Sequence, residues 1–375
     1  MHVLVAHNTV APHDAAADLD VLTQVEAVSE ALRSAGCALD TQPVSLNLND
    51  FRIALAAIQP DVVFNLVESL AGYDRLAPLA PAMMESLEYR CTGSPAQTLS
   101  LLSDKVRAKA QMRCAGLPTA DWVVNGTLFQ LPQHGRPMVR SVCESPAEAE
   151  VPLCHLREST PNSRPAPERY IIKPIHDHAS YGIHADSVIS VVDEHALHIA
   201  LAERGRCLGR SCFAERFIDG REFNLSILAG PNGPEVLPPA EILFVDFPVD
   251  EPRIVHYAAK WEPEPPGYRN TPRRFDFPDS DRLLLKELTE LTEACWHLFG
   301  IQGYARVDFR VAPDGSPWIL EVNANPCLSP DAGFAAAVER AGHTFREAMG
   351  RIIADALSKH RQASAIARVR PAPAC

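Results

Sequence analysis

Apolar positions at the start of the chain alternate between two periods. Val3–Ala6 is a short apolar run that predicts a strand, followed by a polar loop. Val21, Val25, Val28 and Leu32 then recur at helical spacing, so a helix is expected over Leu19–Ala35, with Asp18 as its cap and Gly36 as its stop. Leu39–Val44 reads as a second strand, Phe51–Ile58 as a helix ended by Pro60, and Val62–Leu66 as a buried strand. Strand–helix–strand alternation predicts a parallel α/β sheet and an N-terminal domain over residues 1–98.

A helical run, Leu99–Cys114, closed by Gly116-Leu117-Pro118, opens a central domain expected over 99–210. Within it, Asn125–Glu168 is irregular and rich in Pro, Ser and Glu, an insertion at the domain edge. Strands and helices alternate again from Tyr170. A third unit, 211–360, has α+β character. Its long amphipathic helix, Asp281–Phe299, precedes strands at Ala305–Val311 and Trp318–Val322, joined by a Pro313-Asp314-Gly315 turn. A last helix is expected over Thr344–Ser358, and the Arg/Ala/Pro-rich segment 361–375 reads as a disordered tail.

Composition narrows the function classes. The 375 residues are 46% hydrophobic, enough for two or three domains. A formal net charge of -12 disfavours nucleic acid and anionic membranes as partners. No apolar run reaches the roughly 18 residues of a membrane span. Met1–Ala6 lacks the basic start of a signal peptide, so a cytoplasmic location is expected. The 10 Cys are scattered without a Cys-x-x-Cys pair, which reads as reduced thiols. His176 and His178 flank Asp177, but no later cluster completes a zinc site.

Arg306-Val307-Asp308 and Glu321-Val322-Asn323 lie in two alternating strands. A hairpin between them would bring Asp308, Glu321 and Asn323 to one face, with Arg306 on the same side. Two carboxylates and an amide oxygen suit Mg²⁺ bridging nucleotide phosphates, with Mn²⁺ as the alternative. The fixed cation suits charge developing at a reacting centre. An amphipathic hairpin with a solvated acidic face is the plainer reading. Lysine is scarce, with only Lys105, Lys109, Lys173, Lys260, Lys286 and Lys359. Lys173 ends an apolar strand before the small polar loop His176–Gly182, which contains Ser180 and whose backbone N–H groups suit phosphates. In Phe213–Ile218 the backbone from Glu215 through Phe217 to Ile218 suits an adenine, and Glu222 suits ribose hydroxyls. Surface charges around a tight turn explain the same residues without a ligand.

The order of these segments resembles the ATP-grasp superfamily, and within it the D-alanine–D-alanine ligases, over roughly residues 60–355 and more loosely before. The resemblance implies an ATP-grasp fold preceded by a parallel-sheet preATP-grasp domain. Lys105, in Ser103-Asp104-Lys105, falls on a lysine that touches nucleotide phosphate, and Lys173-Pro174 on the strand-end Lys-Pro. Glu215, Phe217 and Ile218 fall on the adenine hinge, and Glu222 on the ribose position. Lys260 falls on the lysine of the mobile loop over the site. Asp308, Glu321 and Asn323 fall on the Mg²⁺ ligands and Arg306 on the catalytic arginine. The implied reaction phosphorylates a carboxylate with ATP and lets an amine attack the acyl-phosphate. Small amino-acid-like acids and amines are the implied partners, and a homodimer is compatible with the family. A phosphotransferase, or a non-catalytic nucleotide-binding protein of the same fold, is the alternative.

Several positions depart from the D-alanine pattern. Glu68 stands where a His is expected after Phe64-Asn65-Leu66, Trp261 follows Lys260, and Ala179 occupies the loop serine position. No first-domain glutamate is evident in Asn8–Asp20. The segment Asn325–Gly333, which contains Ser329, lacks the Gly and Ser that hold the intermediate and the second carboxylate. Substrates other than two D-alanines are therefore expected. The Pro- and Arg-rich stretch Trp261–Phe275 reads as a cover. Tyr268, Arg273 and Arg274 are its candidate substrate contacts, with Glu68 and Ser329 on the other side of the site.

Overall fold

The computed structural model describes residues 1–124, 127–129, 168–248, 251–257 and 271–369. Three sheets organise them. In the first, β1 (His2–Asn8) lies between β2 (Ala38–Val44) and β3 (Val62–Leu66), all parallel. Helices α1 (Ala16–Ser34) and α2 (Leu48–Ile58) make the crossovers, and α3 (Leu79–Ser86) follows. β3 is buried along its whole length, as expected of a parallel strand covered on both faces, and its one polar residue, Asn65, accepts from the Val67 N–H at 3.2 Å. α1 begins three residues before the expected start. Ala15 takes the cap position without a side-chain bond, and Asp18 lies inside the first turn.

The expected single helix Leu99–Cys114 is two helices, α4 (Ala96–Leu102) and α5 (Lys105–Cys114). Asp104 divides them because its carboxylate accepts from the Val106 and Arg107 N–H groups, starting a new helix. The second sheet runs β5 (Thr127–Phe129), β4 (Trp122–Val124), β8 (Cys212–Arg216), β6 (Glu168–Pro174), β7 (Val188–Val191). Helix α6 (Glu194–Leu208) packs on it through Leu197 and Leu201. β8 belongs to this sheet, so the layer crosses the 210/211 division expected from sequence.

The third sheet has the order β12 (Arg273–Arg274), β11 (Ala240–Ile242), β9 (Arg221–Leu228), β13 (Tyr304–Val311), β14 (Pro317–Asn323), with β10 (Glu235–Val236) also on β9. One face packs on α7 (Arg282–Phe299): Val307, Phe309 and Val311 meet Leu288, Leu291, Cys295 and Phe299. Strand alternation therefore turns Arg306, Asp308 and Arg310 to the opposite face. The β8–β9 turn depends on Gly220, at φ +132, where a Cβ would stand 2.0 Å from the Val311 carbonyl oxygen.

Helix α8 (Gly333–Arg340) and α9 (Phe345–Val369) return to the first sheet, joining α1 in one core with Val3, Phe64, Met349 and Ile352. α9 extends beyond the helix expected over Thr344–Ser358. Among the described residues no helix is long and apolar enough to cross a membrane.

Candidate active site

The β13–β14 ladder pairs Asp308 with Glu321 and Arg306 with Asn323, the juxtaposition expected from sequence. Register slips between Asp308 and Phe309, and Leu320 turns toward the cavity beside Glu321. Arg306 donates from Nε and Nη2 to the two Asp308 oxygens, each at 2.7 Å. Asn224 Nδ2, on β9, adds a third bond to Asp308 at 2.8 Å. Burial works against the Arg306 charge, but the Asp308 carboxylate outweighs it and holds the guanidinium above its ordinary value. Asn323 donates to Glu321 at 3.2 Å, which leaves its amide oxygen for another partner.

A 510 Å³ cavity separates this hairpin from the second sheet. Lys105, Lys173, Ser180, Glu215, Phe217, Ile218, Glu222, Arg306, Asp308 and Glu321 all line it. Glu215 is held on both oxygens, by Lys173 at 3.0 Å and by Lys109 at 2.7 Å. Burial alone would raise the Glu215 carboxyl, yet the two lysine charges keep it below its ordinary value. Lys109 is buried and also donates to Thr119 Oγ1 at 2.6 Å. Burial pushes the Lys105 ammonium below its ordinary value, against the pull of Glu321. Glu222 is 2.9 Å from Arg310, whose guanidinium also donates to the Gly220 and Arg253 carbonyls.

The loop after Lys173 is bent by Ala179 and Ser180, both at positive φ (54° and 62°) without being glycine. It is tied down on three sides. The His178 N–H donates to Asp74 at 2.7 Å, Arg210 pairs with Asp177 at 3.1 Å, and Ser180 Oγ donates to the Val255 carbonyl at 2.8 Å.

A second cavity of 250 Å³ adjoins the first, and Asp20, Arg306, Glu321 and Cys327 line both. Glu68 and Asn323 face it. Gln24, on α1, donates to Glu68 at 2.9 Å and to Asp20 at 3.2 Å. Burial, with the charges of Asp20, Asp74 and Asp18 nearby, raises the Glu68 carboxyl to about 7. A carboxyl raised on folding binds more protons in the native state, so stability falls as pH rises through that window. Glu68→Gln is expected to be more stable than the parent above pH about 7, with the difference vanishing below the ordinary value of 4.5. Denaturant midpoints across this range check it. A pH-independent difference would mean that Glu68 is paired in solution.

Comparisons with known proteins give the chain its relatives. Residues 169–354 match the family model described as "D-ala D-ala ligase C-terminus". A D-alanine–D-alanine ligase of Methylococcus capsulatus is 28% identical over 332 residues, 88% of each chain. Another, from Synechococcus sp. (strain JA-2-3B'a(2-13)), is 31% identical over 278 residues, covering 73% of this chain and 69% of that one. The chain belongs to the D-alanine–D-alanine ligase family. The crystal structure of the Bacillus anthracis D-alanine–D-alanine ligase complexed with ATP shares the fold, with a TM-score of 0.65 at 19% identity over 97% of this chain and 99% of that chain. The fold of this family member is therefore ATP-grasp, with a parallel-sheet N-terminal domain.

Two sequence expectations change at the site, those for Ser329 and Arg274. Ser329 is 1% exposed and donates to both Asp20 oxygens, at 2.8 and 2.9 Å, so its hydroxyl braces α1 and does not line either cavity. Arg273 and Arg274 part ways because neighbours on β12 face opposite sides. Arg273 lines the larger cavity and donates to the Asp331 carbonyl at 2.9 Å. Arg274 binds Glu241, which Arg221 also holds at 2.8 Å. Lys260, Tyr268 and the rest of 258–270 lie outside the described residues. Arg274→Ala is expected to cost less than about 1 kcal/mol, since its ion pair is partly solvated, and to leave substrate KM within twofold. Arg273→Ala is expected to raise a KM severalfold. Equal KM changes in both would contradict the facing.

Sequence reading missed Lys109, Asn224, Arg310 and Asp20. Lys109 lies one helical turn after Lys105. Asn224 is two residues after Glu222, and Arg310 two after Asp308, so period 2 alone put them on the site's face. Asp20 had no local signal beyond its place near the start of α1.

Proposed function

We propose that this protein is an ATP-dependent carboxylate–amine ligase acting on small amino-acid-like substrates other than two D-alanines. The observation that carries this reading is the pair of joined cavities. One is lined by Lys105, Lys173, Arg306 and the Asp308–Glu321 pair, and the other by Glu68 and its acidic neighbours. Lys105 and Lys173 suit the nucleotide phosphates, the Glu215–Ile218 hinge the adenine, and Glu222 the ribose. Tyr268 and Lys260 are proposed for the cover.

The donor chemistry fits a divalent ion. Asp308, Glu321 and the Asn323 amide oxygen are hard ligands on one face. Among the described residues no three His, Cys, Asp or Glu side chains gather to hold a metal alone, so these donors would share Mg²⁺ or Mn²⁺ with nucleotide phosphates. Bound there, the ion would neutralise phosphate charge. Arg306 shares the boundary between the cavities, where the transferring phosphoryl group would meet the carboxylate.

The chemistry closes in two steps. A carboxylate oxygen attacks the γ-phosphorus of ATP and ADP leaves. A neutral amine then attacks the carbonyl carbon of the acyl-phosphate, loses a proton, and expels phosphate. Departure from D-alanine is supported by Glu68 facing the second cavity and by Ser329 being consumed by Asp20. Phosphate release with Mg-ATP and a mixed panel of acids and amines, followed by mass spectrometry, tests the proposal. A product equal to acid plus amine minus water supports it. D-alanyl-D-alanine as the sole product would refute the substrate assignment, and a phosphorylated product stable to amines would refute the ligase.

A further inference from the structure

The loop 177–182 is the partition between the two cavities, since Asp177, His178 and Ala179 line both. Its backbone is costly by itself. Ala179 and Ser180 are consecutive non-glycine residues at φ 54° and 62°, a conformation the chain keeps only where its surroundings hold it. Lys105 Nζ holds the loop from the nucleotide cavity by donating to the Asp177 carbonyl. The opposite side is held from the N-terminal domain.

Leu70 and Tyr73 exchange both backbone hydrogen bonds, at 3.3 and 3.1 Å, around Ala71 and Gly72, which are both at positive φ. This two-residue turn fixes the direction in which Tyr73 and Asp74 leave it. Asp74 reaches the loop directly: the His178 N–H donates to its carboxylate at 2.7 Å. Among the described residues this is the one hydrogen bond that the Asp74 carboxylate accepts. Burial raises the Asp74 carboxyl to about 6, against the pull of that N–H. Ala179 offers no side-chain donor, so the tie runs to the main chain. Tyr73 reaches Arg210, whose guanidinium carbon is 4.9 Å from the centre of its ring and 5.9 Å from that of Tyr181. Arg210 Nε also donates to Asp177 at 3.1 Å. One arginine therefore grips the loop at Asp177 and Tyr181 and the N-terminal domain at Tyr73.

We infer that Asp74 and Arg210 are positioning residues for the nucleotide: they hold loop 177–182 against the N-terminal domain in the shape that receives the phosphates. A loop ordered before the ligand arrives costs less of the binding energy. The inference rests on the nucleotide site of the proposed reading and adds to it two residues of the second cavity, which both of them line. The order of the phosphate loop is thus set from the substrate side.

Hydrogen exchange of the ligand-free full chain, read by mass spectrometry over residues 175–183, and calorimetric titration with Mg-ADP test the assignment. Asp74→Ala is expected to speed exchange in that segment about tenfold and to raise the Mg-ADP Kd about fivefold. Asp74→Asn keeps an oxygen that accepts from the His178 N–H, and should hold both values within about twofold of the parent. Arg210→Ala should loosen the same segment, and its side chain, 28% exposed, makes it the variant to use if Asp74→Ala does not fold. Exchange over β13 and β14 should stay at the parent rate in each variant. A rise there as well would make the two residues general stabilisers and overturn the assignment. Unchanged loop exchange in the alanine variants, faster exchange with Mg-ADP affinity intact, or equal losses in Asp74→Asn and Asp74→Ala would also overturn it. A parent chain that binds no Mg-ADP would refute the ligase reading together with the inference. A parent that binds it, with alanine variants that bind it equally well, would refute the positioning role alone.

Discussion

Arg306→Ala is expected to lower turnover by roughly a hundred- to a thousandfold, the usual cost of losing one fixed charge at a transition state. Nucleotide affinity should change only severalfold. Arg306 lies on the wall shared by the two cavities and is oriented by two bonds to Asp308, each 2.7 Å long. Arg306→Lys should recover little, because one ammonium does not reproduce a two-pronged guanidinium on a carboxylate. Steady-state kcat beside direct nucleotide titration separates the two effects. An unchanged kcat with weakened nucleotide binding would mean that Arg306 serves only to hold Asp308.

Glu215→Ala is expected to be the most destabilising single change at the site, by roughly 3–5 kcal/mol, the range for breaking a buried ion pair from one side. The Glu215 side chain is 2% exposed and Lys109 1%, so removing the carboxylate leaves Lys109 charged in the interior without a counter-ion. Lys173 also loses its partner, which places a nucleotide-facing ammonium less well. Adding Lys109→Met to the variant should recover much of the loss, since the orphaned charge is gone. The lysines hold the Glu215 carboxyl down against its burial. A lowered carboxyl contributes stability above its unfolded value of 4.5 that is lost as pH falls through the lower folded value. Urea unfolding of parent, single and double variants measures each term. A Glu215→Ala midpoint close to the parent would show that Lys109 is neutral or solvated.

The features legible in sequence were those set by local period. Arg306, Asp308, Glu321 and Asn323 were placed together because two strands with a tight turn leave one register parity, and β13–β14 has it. The parallel sheet of β1, β2 and β3 followed from its alternation with α1 and α2. What was not legible depended on partners distant in sequence. Arg310 finds Glu222 only because β9 and β13 lie side by side, with these two residues opposite each other. Arg273 and Arg274 were treated alike, although on the edge strand β12 they pair with Ile242 and Glu241 of β11, which sends one to the cavity and the other to an ion network. Asp104 broke a helix that its apolar spacing would have continued. An early start of α1 turned Asp18 from a cap into part of the acidic lining.

In the proposed reaction ATP activates a carboxylate as an acyl-phosphate, a step that isotope transfer detects directly. The acid substrate identified by the product screen is labelled with ¹⁸O in its carboxylate, and the released phosphate is analysed by mass spectrometry. One ¹⁸O is expected in the phosphate per amide formed, since the oxygen that attacks phosphorus leaves with it. Amide formation with unlabelled phosphate would contradict the mechanism.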